Sequence, residues 1–178
     1  MRQRDFVVFA LLVTLFATVD FTNGASAQQS REPKYATVSA RVTPATVAPG
    51  EKAMLTVTVQ VKEGFHINAE KPGDENLIPT VLTVSKPMLG GATPKPAGIS
   101  VGKSAFPKPK SMPSLMGEGE MFVYEGKVEI TAPVTVAKNA APGMAAIRGT
   151  LRTQGCNETM CFPPATFPFE APVTIRKK

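Results

Sequence analysis

The chain has 178 residues, with 20 Lys and Arg against 14 Asp and Glu for a net charge of +6, and 43% of its side chains are hydrophobic. Its 17 prolines and 14 glycines, dispersed along the chain, leave little room for long helices. The mild basic excess is spread out and forms no arginine-and-aromatic groove, which excludes nucleic acid as a partner.

Arg2 and Arg4 precede an apolar run from Phe6 to Val19, and Ala25-Ser26-Ala27 supplies a small-x-small cleavage site. This pattern predicts a secretory signal peptide over residues 1–27. The run is too short for a spanning helix, which needs about 20 apolar residues. Removing the leader takes away two arginines and two aspartates, so the balance stays at +6. The remaining chain, of about 150 residues, is expected to be one exported domain, soluble outside the cytoplasmic membrane, that folds without a staple. A polar, flexible lead-in is expected over 28–36, with the patterned region opening at Tyr35.

From there the sequence alternates. AMLTVTVQV (53–61) turns Leu55, Val57, Val59 and Val61 to one face, the period of a half-buried strand. The same reading fits KVEIT (127–131) with Val128 and Ile130 inward and AIRGTLRT (146–153) with Ile147 and Leu151 inward. APVTIRK (171–177) repeats it with Val173 and Ile175. Shorter runs rich in β-formers lie at 36–42, 65–68, 80–85, 97–101 and 121–124. Turn signals fall between them at 48–52, 71–76, 90–96 and 138–143. Nine short strands without a helical period predict an all-β antiparallel sandwich. Residues 103–121, with three prolines and two glycines, are expected to hold no strand of any length and to form a functional loop.

The two cysteines, Cys156 and Cys161, lie in TQGCNETMCFPP (153–164). In an oxidising compartment they are expected to pair, and the residues alone leave the purpose of the pair open. As a staple it closes a small loop, removing only about 2 kcal/mol of unfolded-state freedom; as an exchange centre it needs an attacking thiolate, a resolving thiol and access. A tetrahedral zinc site asks for four nitrogen or sulfur donors, and His66 is the only histidine. Copper(I) accepts thiolate and thioether donors, and Met112, Met116, Met121 and Met160 stand in or near the two irregular segments.

QGCNETMCFPP (154–164), GFHIN (64–68), LIPTVLTV (77–84) and FVYEGKVEITAPVTV (122–136) together resemble the N-terminal periplasmic domain of the thiol:disulfide interchange protein DsbD, over about residues 37–176. The resemblance implies an immunoglobulin-like sandwich covering residues 37–178. It also implies reducing equivalents taken from a membrane-embedded thiol carrier, of the DsbD transmembrane or CcdA type, and passed to periplasmic thioredoxin-fold proteins. By motif, Cys161 resembles the cysteine that forms the mixed disulfide with partners and Cys156 the one that resolves it, both at one end of the sandwich. His66, Asn68, Phe162 and Pro163 fall near the pair, and an imidazole there would favour a thiolate. The family's cap loop corresponds to SMPSLMGEGEM (111–121), which has no aromatic tip, so Leu115 or Met116 would cover the disulfide. The resembled protein continues into membrane and thioredoxin-like domains, whereas this sequence ends at Lys178, which implies electrons from a separate carrier. No cofactor, bound metal or nucleic acid is implied, and a monomer is expected. The alternatives are a binding or adaptor sandwich with a structural disulfide, and a periplasmic copper(I)-handling protein.

Overall fold

The alternation read in the sequence builds the two faces of the sandwich. In the computed structural model, which describes residues 35–93, 95–114 and 119–177, fourteen strands follow in chain order. They are β1 (Ala36–Thr43), β2 (Thr46–Val47), β3 (Lys52–Val61), β4 (His66–Asn68), β5 (Val81–Val84), β6 (Met88–Leu89) and β7 (Lys95–Pro96), then β8 (Ile99–Val101), β9 (Lys110–Pro113), β10 (Glu120–Tyr124), β11 (Lys127–Val136), β12 (Gly143–Thr153), β13 (Gly155–Cys156) and β14 (Ala165–Ile175). No helix occurs among the described residues.

One sheet runs β1-β3-β11-β8, and the facing sheet runs β2-β14-β12-β6-β7 with β5 also on β12. The pairings are antiparallel except for β2 on β14. Every side chain expected to point inward does so: Leu55, Val57, Val59, Val61, Val128, Ile130, Ile147, Leu151, Val173 and Ile175 are at most 3% exposed. They meet between the sheets in one apolar cluster, and their removal from water is the main force closing the sandwich. The architecture is the expected all-β, immunoglobulin-like sandwich.

A third sheet, β13-β4-β10-β9, grows from one end of the sandwich. β4 follows the end of β3, β10 leads into β11, and β13 follows the end of β12. These three junctions lie at the same end, because Lys127 pairs with Gln60 and Ala36 with Val61, and the Tyr35 hydroxyl donates across the sandwich to the Thr153 carbonyl at 3.1 Å.

All nine expected strands are present, and the structure adds to them. β9 lies inside the segment expected to hold no strand: Lys110–Pro113 pairs antiparallel with β10 as a sheet edge, where prolines are tolerated. β14 begins six residues before the expected start. Pro168, among the added residues, and Pro172, within the expected strand, both share the parity of Thr174, whose N–H points away from β12 to the Ala45 carbonyl. Their missing N–H groups therefore face the unpaired edge and cost no ladder bond, while Phe167 and Phe169 point inward. Tyr35 and Ala36, at the end of the expected lead-in, are 3% and 1% exposed because the Tyr35 ring closes the end of the core. The expected signal peptide, the lead-in before Tyr35, and Leu115 and Met116 lie outside the described residues.

Candidate active site: the Cys156–Cys161 hairpin

Gln154, Gly155 and Cys156 continue from β12 into β13, and the alternation of a strand separates them onto two faces. Gly155 pairs with Ile67 and Cys156 with His66. In an antiparallel ladder, directly opposed side chains share a face with Cβ atoms about 4.5–5.5 Å apart. One face of this small ladder therefore carries Cys156, His66, Gln154 and Asn68, all the polar chemistry. The other carries Ile67 and Gly155, turned to the core.

The disulfide joins Cys156 to Cys161 with S–S 2.06 Å and Cα–Cα 4.0 Å. The two residues face each other across a tight hairpin, closed by Phe162 N–H donating to the Gly155 carbonyl at 2.8 Å and Asn157 N–H to the Met160 carbonyl at 2.9 Å. Asn157 organises the connecting loop: its Oδ1 accepts from the Thr159 N–H at 3.0 Å, the Thr159 hydroxyl at 3.0 Å and the Met160 N–H at 2.8 Å. This is the side-chain turn chemistry for which asparagine is favoured. Cys156 is fully buried, whereas Cys161 is partly exposed. A disulfide with one reachable sulfur can be attacked from one side only.

Beneath the hairpin a polar network fixes its position. Gln154 donates through Nε2 to the Phe162 carbonyl at 3.1 Å, and its Oε1 accepts from Asn68 Nδ2 at 3.2 Å and the Ile78 N–H at 3.3 Å. Asn68 also donates to the Ile78 carbonyl at 3.0 Å. The Thr80 hydroxyl donates to the Asn68 carbonyl and lies 2.6 Å from the Thr153 hydroxyl. Asn68 thus acts as a brace for Gln154. On the other face, the Tyr35 ring covers Gly155 and stacks on Phe162 at a centroid distance of 6.3 Å, and Phe65 approaches Phe162 at 5.8 Å.

His66 is 5% exposed, and its Nε2 has no hydrogen-bond partner among the described residues. Burial lowers its pKa below the ordinary value of 6.5, outweighing the Glu125 carboxylate, which acts in the other direction. Burial thus favours the neutral form of the imidazole. The strand that brings His66 beside Cys156 also removes it from water. His66 borders a groove of about 590 Å³ that takes in Phe65, Lys110, Met112, Glu125 and Glu158. Lys110 and Glu125 pair across it at 2.6 Å. On the same sheet, the Tyr124 hydroxyl donates to Glu70 and to the Pro107 carbonyl at 3.2 Å. Burial first, and then the Glu70 carboxylate, raise its pKa.

Of the residues singled out in the sequence, Cys156, Cys161, Phe162 and His66 are brought together, Asn68 lies one ladder step away, and Pro163 is exposed beyond the hairpin. Of the methionines considered as soft donors, Met121 and Met112 pack with Leu77 and Val123 in a small apolar cluster, and Met160 is 56% exposed in the cysteine loop. Tyr35, Phe65, Thr80 and Thr153 were not anticipated. Phe65, Thr80 and Thr153 stood in quoted motifs with no role attached, and Tyr35 only as the start of the patterned region, because each reaches the site through a partner distant in the chain. Gln154 stood in the quoted motif with no role attached.

The family model for the N-terminal domain of the thiol:disulfide interchange protein DsbD matches residues 35–171. No curated protein matches the chain. Among solved structures, the chain is similar to the reduced DsbD N-terminal domain of Neisseria meningitidis, at 15% identity and TM-score 0.43, covering 80% of this chain and 90% of that one. It is also similar to the N-terminal periplasmic domain of ScsB from Proteus mirabilis, at 14% identity and TM-score 0.48, covering 76% of this chain and 46% of that one. A third similarity is to the complex between the DsbD and PilB N-terminal domains of Neisseria meningitidis, at 17% identity and TM-score 0.43, covering 75% and 80%. The family match spans most of the chain and takes in both cysteines and the β4 and β10 strands that position them. On that match, the chain belongs to the family of DsbD N-terminal domains, whose work is thiol:disulfide interchange.

Proposed function

We propose that this chain is an exported periplasmic electron shuttle. In this reading it takes reducing equivalents from a membrane-embedded thiol carrier and passes them to thioredoxin-fold proteins through Cys156 and Cys161. The observation that carries the proposal is the unequal access to the two sulfurs, with Cys161 reachable and Cys156 buried, in a hairpin held by the side chains of Gln154 and Asn157. The family match supports it, and the leader-like sequence of residues 1–27 supports export.

In the reduced protein the Cys161 thiolate attacks a partner disulfide. One partner sulfur leaves as thiolate, and the other remains bonded to Cys161. Cys156 then loses its proton and attacks the Cys161 sulfur, forming the Cys156–Cys161 bond and releasing the second partner thiolate. The partner gains two electrons and the shuttle loses two; the dithiol of the membrane carrier restores the starting state by the reverse exchange. The domain itself needs no cofactor for this cycle.

Trapping tests the roles. Cys156→Ser should accumulate a mixed disulfide through Cys161 with a thioredoxin-fold protein, and Cys161→Ser should not. Equal trapping by both variants would overturn the assignment.

A further inference from the structure

A buried thiol is a poor nucleophile, because burial disfavours its thiolate. Cys156 is fully buried, yet in the cycle proposed above it must ionise to resolve the mixed disulfide. Bulk water has little access to it, so the proton must pass to a neighbouring group. Directly opposite Cys156 in the β4–β13 ladder stands His66, the only histidine in the chain, nearly buried and with Nε2 unpaired among the described residues. A buried nitrogen left unpaired is costly, so its placement beside the thiol calls for a reason.

We infer that His66 is the proton acceptor for Cys156: Nε2 takes the thiol proton as the sulfur attacks Cys161, and the imidazolium returns it to the departing partner thiolate or to water. No electron passes through the ring, and each turnover leaves it neutral again. The inference rests on the shuttle reading and assigns the step at which that reading otherwise lacks a base. The charged groups around His66 are Lys62 and Glu63 on the turn before β4, Lys110 on β9, Glu125 after β10 and Glu158 in the cysteine loop. Lys110 pairs with Glu125, which leaves Lys62 against Glu63 and Glu158, and burial favours the neutral ring over the pull of the carboxylates. A neutral ring is the form a base requires.

The test is stopped-flow mixing of the reduced protein with stoichiometric dithiobis(nitrobenzoate), a chromogenic disulfide. The first nitrothiobenzoate released reports attack by Cys161, and the second reports resolution by Cys156. In the wild-type chain, which needs no substitution, the second rate should be level at neutral pH and fall as pH drops through a value below 6.5, the ordinary imidazole pKa. His66→Gln and His66→Phe, each checked for folding by thermal unfolding, should slow the second release by about 10²-fold or more at pH 7, and make it climb with pH toward thiol ionisation. The first release should be unchanged. A second release as fast in both folded variants as in the wild type overturns the inference, as does equal slowing of both phases. A wild-type protein that gives no second release overturns the shuttle reading itself, and the inference with it.

Discussion

Gly155 is required by space and not by backbone conformation, and this gives a sharp test of how the hairpin is held. Its φ is not in the left-handed region, so alanine meets no backbone strain there. A Cβ at position 155 would, however, lie 2.4, 2.5 and 2.7 Å from three ring carbons of Tyr35, where ordinary carbon contacts are about 3.5–4.0 Å. The ring would have to retreat by about 1 Å, and it is 3% exposed, with Phe162 and Phe167 against it and its hydroxyl bonded to Thr153. Overpacking of this kind costs about 1–3 kcal/mol, and loss of the hydroxyl bond adds about 1. Gly155→Ala should therefore destabilise the domain by about 2–4 kcal/mol, lowering Tm by roughly 2–4 °C per kcal/mol for a domain of this size. Urea unfolding of oxidised protein measures it, with Tyr35→Ala as the second arm of a double-mutant cycle. In that background Gly155→Ala should cost far less. A cost below about 0.5 kcal/mol, or the same cost with and without the Tyr35 ring, would refute the reasoning.

The polar brace and the titrating groups give further expectations. Gln154→Ala leaves Ile78 N–H and the Phe162 carbonyl without their side-chain partner, so it should cost about 2–3 kcal/mol and speed amide hydrogen exchange at Ile78. His66 has a folded-state pKa below its unfolded value, so its contribution is present above about pH 6.5 and is lost as pH falls through the folded pKa; urea midpoints should fall over that window in the wild type and less so in His66→Gln. Tyr124 is shifted the other way. Its contribution should be intact below about pH 10 and lost as pH rises further, and Tyr124→Phe should flatten that alkaline loss. Replacing both cysteines by serine should cost only about 2 kcal/mol, since the closed loop is small, leaving a folded sandwich by far-UV circular dichroism and urea unfolding.

The sandwich was legible because its strands state their own inside: Val57, Val59 and Val61, or Val173 and Ile175, alternate with polar residues, and one face must be buried. The short strands were not, because Thr46–Val47, Met88–Leu89 and Gly155–Cys156 become strands only through partners far along the chain. The early start of β14 was not legible either: Pro168 rules out a ladder bond on one side only, and the sequence does not say which side is empty. At the site, the cysteines and the flanking motif were visible, as was the presence of a lone histidine. Its burial was not, since that is produced by three strands meeting at the end of the sandwich. Asn68 was read as a neighbour of the sulfurs, and its Nδ2 donates to the Ile78 carbonyl and Gln154 while its buried Oδ1 has no partner among the described residues. Tyr35, 120 residues before Gly155 in the chain, gave no local sign that its ring sets the motif's glycine.

The most direct test is the equilibrium reduction potential of the Cys156–Cys161 bond, measured by thiol alkylation across a series of dithiol redox buffers. An exchanging bond should have a potential above about −300 mV and titrate as a single two-electron step in a chain that stays folded throughout. A potential below that value, the range typical of structural bridges, would contradict the account.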